Sequence, residues 1–222
     1  MLSPVDFDRE FLGRPCYRLR PPITDAEWNQ FDRLAFGNSI FADLKSPASD
    51  LATASQALGR SFRKICIQVE LLHRLTEVQP ADKVIFGNAL TLTDEQKRMH
   101  AEHFVTSRFR QDHDLPCEQA IHLYTRWIAN SVSGAKRLAM VDVDFCSFED
   151  RDGVRKIDLL SVLNKRRGHA TELLRAVLTD AKSSALRKVV STTELENEAA
   201  LKAYKATGFE IEAFTTVFHF RN

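Results

Sequence analysis

Ile157-Asp158-Leu159-Leu160-Ser161-Val162-Leu163-Asn164-Lys165-Arg166-Arg167-Gly168-His169-Ala170-Thr171-Glu172-Leu173-Leu174 is the stretch that decides the fold. It reads as a buried strand entering a basic turn with one glycine and passing directly into an amphipathic helix. Leu173, Leu174, Val177 and Leu178 form the apolar stripe of that helix. A helix start gathers unpaired backbone N–H groups at the positive end of the helix dipole, a combination that binds phosphate. Gly168 lets the backbone approach a pyrophosphate without a Cβ in the way, Ala170 keeps the helix near the sheet, and Lys165, Arg166 and Arg167 add charge. Taken alone, the turn reads first as a solvated basic cap on a surface helix, and the second motif downstream is what favours phosphate.

A second motif lies downstream, after a strand expected at Lys188 to Thr192. Asn197-Glu198-Ala199-Ala200-Leu201-Lys202-Ala203-Tyr204-Lys205-Ala206-Thr207-Gly208-Phe209 puts an asparagine at the cap of a short helix and Tyr204 two turns later on the same face. Gly208 then stops the helix before the next strand. The plain alternative is an ordinary N-cap, a core tyrosine and an ordinary C-terminal glycine.

Working outward, Arg137 to Val143, Asp144 to Phe148 and Lys156 to Leu163 read as strands, with hairpin chemistry at Asp152-Gly153. Val84 to Leu92 is a further expected strand, and Thr93 with Gln96 forms a capping box that opens a helix to about Val105. Ala120, Tyr124, Trp127, Ile128 and Ser131 share one face of a helix over Cys117 to Val132. A helix from about Arg167 to Ser183 and a last pair of strands, Phe209 to Ala213 and Thr215 to Phe220, complete this part. Before it, Pro4, Pro15, Pro21 and Pro22 interrupt short apolar pieces; a strand at Ile40 to Leu44, a helix at Ala48 to Leu58 and a strand at Lys64 to Leu72 follow. Leu75 to Lys83, carrying Pro80, reads as the connector. The expectation is an α+β chain: a partial α/β domain over residues 1–80, then a domain over 81–222 with a mixed sheet flanked by helices.

Composition narrows the classes. The 222 residues are 44% hydrophobic and 27% charged, enough to bury a core and unlike a disordered chain. Thirty-one basic against 30 acidic residues leave a net charge of +1, so no whole-surface attraction to nucleic acid or anionic membrane is expected. No apolar run spans a bilayer and no basic-then-apolar leader opens the sequence, which reads as a cytoplasmic protein. Cys16, Cys66, Cys117 and Cys146 lack paired spacing, so free thiols rather than zinc or disulfides are expected. His100, His103 and His113 have no metal-ligand partner at a recognised spacing; exposed helix histidines and no metal are the reading. Glu95-Gln96-Lys97-Arg98 reads as a solvated helix face.

The basic glycine turn and the Asn-x-x-Ala-x-x-x-Tyr-x-x-x-Gly-Phe motif, in this order, resemble the acetyl-CoA site of the GNAT N-acetyltransferase superfamily over residues 84–222. That resemblance implies a GNAT-type mixed sheet, splayed between two central strands to admit the pantetheine arm. Lys165 stands where the superfamily usually has Gln or Arg, and Leu138 to Ile157 is a short stretch for two strands. It further implies that Lys165, Arg166, Arg167, Gly168, His169, Ala170 and Thr171 hold the cofactor phosphates. Backbone groups near Leu160 and Val162 would polarise the thioester, Asn197 would meet the cofactor arm, and Tyr204 would protonate the leaving thiolate. No base is assigned; a water chain to Asp158 or Glu70 is the placement that sequence offers.

Ser107-Arg108-Phe109-Arg110, Tyr124-Thr125-Arg126-Trp127-Ile128-Ala129-Asn130-Ser131-Val132-Ser133-Gly134, the run from Gly208 to Phe220 and Phe7-Asp8-Arg9-Glu10-Phe11-Leu12-Gly13 are similar to the TDP-fucosamine acetyltransferase family. This narrower likeness implies acetylation of the 4-amino group of a TDP-linked 4-amino-4,6-dideoxyhexose in surface-polysaccharide synthesis. Arg108, Phe109 and Arg110 would then bind the nucleotide sugar, two bidentate donors around an apolar ring, against a plain reading as a helix cap with surface arginines. A homodimer is an admissible assembly. Two other functions stay open: a peptide or protein N-acetyltransferase, and a catalytically silent acyl-CoA-binding module.

Overall fold

The computed structural model describes residues 2–81, 83–164 and 167–222; Lys165 and Arg166, two cations of the expected phosphate turn, lie outside the described residues. The chain opens with β1 (Leu2–Pro4), α1 (Asp6–Leu12), β2 (Cys16–Leu19), α2 (Asp25–Ala35), β3 (Phe41–Pro47), α3 (Leu51–Gly59) and β4 (Arg63–His73). It continues with β5 (Ile85–Gly87), α4 (Asp94–Glu102), α5 (Arg108–Gln111), α6 (Cys117–Asn130), a π turn (Ser131–Ala135), β6 (Arg137–Val141), β7 (Asp144–Arg151) and β8 (Val154–Ser161). It ends with α7 (His169–Ser183), β9 (Lys188–Glu194), α8 (Glu198–Ala206) and β10 (Glu210–Arg221).

Two compact units result, both discontinuous in sequence: Met1–Gln68 with Arg108–Leu123 and Ala213–Asn222, and Val69–Ser107 with Tyr124–Glu212. This differs from a linear cut near residue 80, because the chain comes back. β10 is one continuous strand rather than the expected pair, and it lies antiparallel to β3, with Thr215 opposite Pro47 and Arg221 opposite Phe41. No turn residue interrupts Phe214 to Phe218, and the β-branched Thr215, Thr216 and Val217 favour extended backbone.

In the first unit the strand order is β1-β2-β3-β10, with β1 antiparallel to β2 and β2 parallel to β3. Thr24 and Glu27 cap α2 reciprocally: the Thr24 Oγ1 accepts the Glu27 N–H and the Glu27 carboxylate accepts the Thr24 N–H. That fixed start presents Trp28 and Phe31 to a core of Leu19, Leu44, Phe62, Phe218 and Phe220. Each such fully buried side chain is worth about 1.5–3 kcal/mol of transfer free energy.

In the second unit the order is β4-β9-β8-β7-β6-β5. β5 to β8 form an antiparallel meander, while β8 and β9 are parallel and joined by the crossover helix α7. The β7–β8 turn has Asp152 at φ 53° and Gly153 at φ 75°, the two positive values a type I′ hairpin demands. The strand expected at Val84 to Leu92 shrinks to the three residues of β5. Leu173, Leu174, Val177 and Leu178 of α7 pack on Val69, Leu71, Phe148, Ile157 and Val189, so the apolar stripe read from the sequence faces the sheet.

Candidate active site

The site grows from the way β8 and β9 meet. They are paired only where they begin, Val154, Arg155 and Lys156 lying opposite Lys188, Val189 and Val190. Among the described residues the remainder of each strand carries no pairing with the other, and a fork opens between them. An unpaired strand edge inside a sheet leaves backbone N–H and C=O groups for a ligand.

A bulge shapes one arm of the fork. Ile157 opposes Phe148 and Leu159 opposes Ser147, which makes Asp158 an extra residue on β8. Ile157 and Leu160, three apart, therefore both pack toward the α7 side. Asp158 instead accepts a hydrogen bond from Trp127 Nε1 of α6 at 2.9 Å. Trp127 stacks on Tyr124 at 5.6 Å between centroids, and Tyr124 stacks on Phe104 at 4.8 Å, a row of three rings leading to a half-buried carboxylate. The Leu159 N–H donates to Ser147 Oγ on the β7 side at 3.2 Å. Strand alternation then turns the Leu160 N–H to the open edge.

Tyr204 marks the apex. Its hydroxyl lies 2.7 Å from Ser191 Oγ, and Ser191 is the first residue of β9 beyond the paired stretch. The ring sits edge-on to Phe209 and is only 3% exposed, and burial pushes the phenol pKa well above its ordinary value. It stays a neutral proton donor across the physiological range. Asn197 begins α8: its Oδ1 accepts the Ala200 N–H at 3.2 Å and its Nδ2 donates to Thr193 Oγ1 at 3.1 Å. Both ends of that amide are engaged within the chain.

At the turn, Gly168 has φ 80°, and among the described residues nothing lies within 4 Å of where a Cβ would stand. Its carbonyl accepts the Glu172 N–H at 3.0 Å and so closes the first turn of α7. Arg167 is exposed, Ala170 and Thr171 are half-buried, and His169 is buried with Nδ1 2.7 Å from Asp144 Oδ2. His100 overturns the expectation of an exposed helix histidine: it is 0% exposed, with Nε2 3.1 Å from the Val143 carbonyl and Nδ1 2.7 Å from Ser161 Oγ. Burial lowers its pKa, so the ring is neutral. A carbonyl only accepts, so Nε2 carries the proton and Nδ1 accepts the Ser161 hydroxyl. His103 is exposed as expected.

The Arg108-Phe109-Arg110 stretch is α5, in the first unit. Phe109 is 1% exposed and packs near Phe41 and His219 rather than lying open between two arginines. Arg108 covers the Phe109 ring and places Nη1 3.4 Å from Asp43 Oδ2, a carboxylate also gripped by Arg18 at 2.8 and 2.9 Å. Burial raises the Asp43 pKa, but Arg108 and the Arg18 bonds outweigh it and hold the group below the usual range. Arg110 differs: its Nη1 is buried with no hydrogen-bond partner among the described residues.

Sequence reasoning missed Asp144, His100, Ser191 and the Trp127 contact. A single acid heading an apolar strand was the available signal for Asp144; the others depend on which strands become neighbours.

Residues 92–209 match the model of the Acetyltransferase (GNAT) family, more than half of the chain. The chain belongs to that family and is an acetyl-CoA-dependent N-acetyltransferase. Similar solved structures include a GCN5-related N-acetyltransferase from Sphaerobacter thermophilus, at TM-score 0.63 and 13% identity, covering 99% of this chain and 76% of that one. A tandem GNAT protein from the clavulanic acid biosynthesis pathway aligns at TM-score 0.57 and 16% identity over 94% of this chain and 76% of its own. A GCN5-related N-acetyltransferase from Kribbella flavida aligns at 0.50 and 14% identity over 94% and 81%. At these identities the likeness is one of fold. A search of curated protein sequences gave no match. Among the described residues no helix is long and apolar enough to cross a membrane, and no group of three or more His, Cys, Asp or Glu side chains is placed to hold a metal ion.

Proposed function

We propose that the enzyme acetylates the 4-amino group of a TDP-linked 4-amino-4,6-dideoxyhexose, a reaction of surface-polysaccharide synthesis. The catalytic half of this reading rests on the fork between β8 and β9, with the Tyr204 hydroxyl at its apex and Asp158 on the bulge. The open space beside Gly168, the N-terminal N–H groups of α7 and the free edge of β8 suit a pyrophosphate joined to an extended arm. Acetyl-CoA, when bound, supplies an acetyl group activated as a thioester.

The chain's own groups divide the remaining work. Gly168, His169, Ala170 and Thr171 offer the helix-start amides, and Arg167, with Lys165 and Arg166 beside it in sequence, adds positive charge. The Leu160 N–H, with the backbone at Val162, polarises the carbonyl that the amine attacks. Asp158 takes up the proton that the acceptor amine must lose, directly or through water. Tyr204 gives its proton to the thiolate sulfur as the carbon–sulfur bond breaks and the carbon–nitrogen bond forms. Asn197 fixes the start of α8; its Nδ2 is the atom a cofactor arm would take over from Thr193.

For the acceptor, support comes from the family-like pieces and two features of their geometry. Among the described residues Arg110 keeps a buried guanidinium nitrogen without a hydrogen-bond partner, a donor suited to an anionic oxygen. Tyr124 and Trp127, from the second family-like piece, form the aromatic row that ends on Asp158. Arg108 and Phe109 frame Arg110 in this reading. A cytoplasmic location, no metal, and no nucleic-acid or membrane partner go with it, and a homodimer is the assembly to look for by light scattering.

The test is incubation with acetyl-CoA and a TDP-4-amino-4,6-dideoxyhexose, following free CoA and the N-acetylated sugar. Equal amounts of both are expected. Acetylation of a peptide panel with the sugar untouched moves the acceptor to peptides, and acetyl-CoA binding without transfer to any amine leaves a silent module.

A further inference from the structure

We propose that Asp144 is a positioning residue for the cofactor turn, one buried carboxylate that ties together the chain on both sides of it. The inference rests on the reading that this turn receives the pyrophosphate of acetyl-CoA. Asp144 is 0% exposed and stands at the first position of β7. Its Oδ1 accepts the Leu163 N–H at 2.7 Å and the Asn164 N–H at 3.5 Å. Its Oδ2 accepts the Asn164 Nδ2 at 3.3 Å and the His169 Nδ1–H at 2.7 Å. Leu163 and Asn164 lead into the turn, and His169 is the first residue of α7 beyond it. No other side chain described at this turn bonds to both sides.

His100 adds a second brace to the same base. It joins the Val143 carbonyl, one residue before Asp144, to the Ser161 hydroxyl at the end of β8. The start of β7, the end of β8 and the start of α7 are thus held by two side chains from outside the turn. Fixing the two flanks of a turn that must aim several amides at one anion reduces the ordering that binding has to supply. Burial of a charged acceptor is tolerated here because four donors meet it. Asparagine at position 144 would turn an NH2 toward one of those donors, leaving a donor facing a donor.

The experiment compares wild type with Asp144→Asn and His169→Gln. Acetyl-CoA binding is measured by calorimetry, steady-state kinetics are run with the acceptor in excess, and thermal melts confirm folding. Asp144→Asn is expected to weaken acetyl-CoA binding and raise its KM about tenfold, the factor one lost good hydrogen bond commands, with kcat at saturating acetyl-CoA within roughly threefold of wild type. His169→Gln should show a smaller shift in the same direction. The double variant should bind no worse than Asp144→Asn alone, because the two groups act as one unit. An unchanged dissociation constant in Asp144→Asn overturns the proposal; should that variant not fold, an unchanged constant in His169→Gln does so. Wild type that binds no acetyl-CoA at all overturns the reading of the turn itself, a separate result.

Discussion

The two units both bury charge, but they leave it in different states. In the first, Asp43 is closed by Arg18 and Arg108, and Asp112 is closed by His219 at 2.7 Å and Arg63 at 2.7 Å. In the second, Asp144 and Arg155 are closed in the same way, yet the fork keeps polar groups with capacity to spare: the Asp158 carboxylate, the Leu160 N–H, and a Tyr204–Ser191 pair in which either oxygen can donate. Closed pairs turn their donors and acceptors on one another and serve the fold; the exceptions in the first unit are Arg110 Nη1 and His219 Nε2, buried without a hydrogen-bond partner among the described residues. Open ones cost desolvation without full return, which a protein tolerates where a ligand completes them.

Asp43 breaks this contrast most forcefully. Asp43→Ala strips the partner from Arg18 and Arg108 and leaves their guanidinium groups partly buried and unmatched. The expected loss is about 3–5 kcal/mol of unfolding free energy, read from denaturant midpoints at constant m-value. A loss under about 1 kcal/mol would mean that water already shares the pair.

Tyr204→Phe probes the open kind of group. Its kcat should fall about a hundredfold, equivalent to about 2.7 kcal/mol in the barrier, with the acetyl-CoA KM little changed. The stability change should be smaller, since what is lost is one hydrogen bond to Ser191. Turnover near wild type removes Tyr204 from the proton transfer.

How much of this division was legible beforehand depends on range. The strand and the helix on either side of the basic turn, within Ile157 to Leu174, and the helix ending at Gly208 were readable because periodicity and capping chemistry are local. The bulge was not, since it exists only in the register of β8 against β7, and neither were Asp144 and His100, whose partners lie 19 to 61 residues away. Pro4, Pro15, Pro21 and Pro22 masked α1, β2 and α2, although Thr24 and Glu27 held a readable capping box. The return of β10 to β3 follows from long-range pairing, which no local pattern announces.

The buried histidines sharpen the contrast through pH. Burial lowers the pKa of His219, opposed by Asp112 and Asp43 and reinforced by Arg108, and burial likewise lowers that of His100, which Asp144 and His103 face. The unfolded chain therefore binds these protons first, near an ordinary value of about 6.5. Stability is full above that value and is lost as pH falls toward the depressed folded values, with a slope of up to about 1.4 kcal/mol per pH unit for each group. Denaturant unfolding between about pH 7.5 and about pH 5 should show this loss, and His219→Gln should flatten it. An unaltered slope in His219→Gln would assign the acid sensitivity to other groups.

The smallest expected effect decides to which side of the contrast Asn197 belongs. As an N-cap it needs only an accepting oxygen for the Ala200 N–H, and Asp supplies one. As a donor to the cofactor arm it needs Nδ2, which Asp lacks. Asn197→Ala should cost about 1 kcal/mol of stability, and Asn197→Asp should restore most of it, with the helix dipole favouring the added charge. If Asn197→Asp also restores the acetyl-CoA KM, the residue is a closed structural cap that holds Tyr204 in register. If stability returns while KM stays raised, Nδ2 leaves Thr193 to serve the cofactor, and Asn197 joins the open groups of the fork.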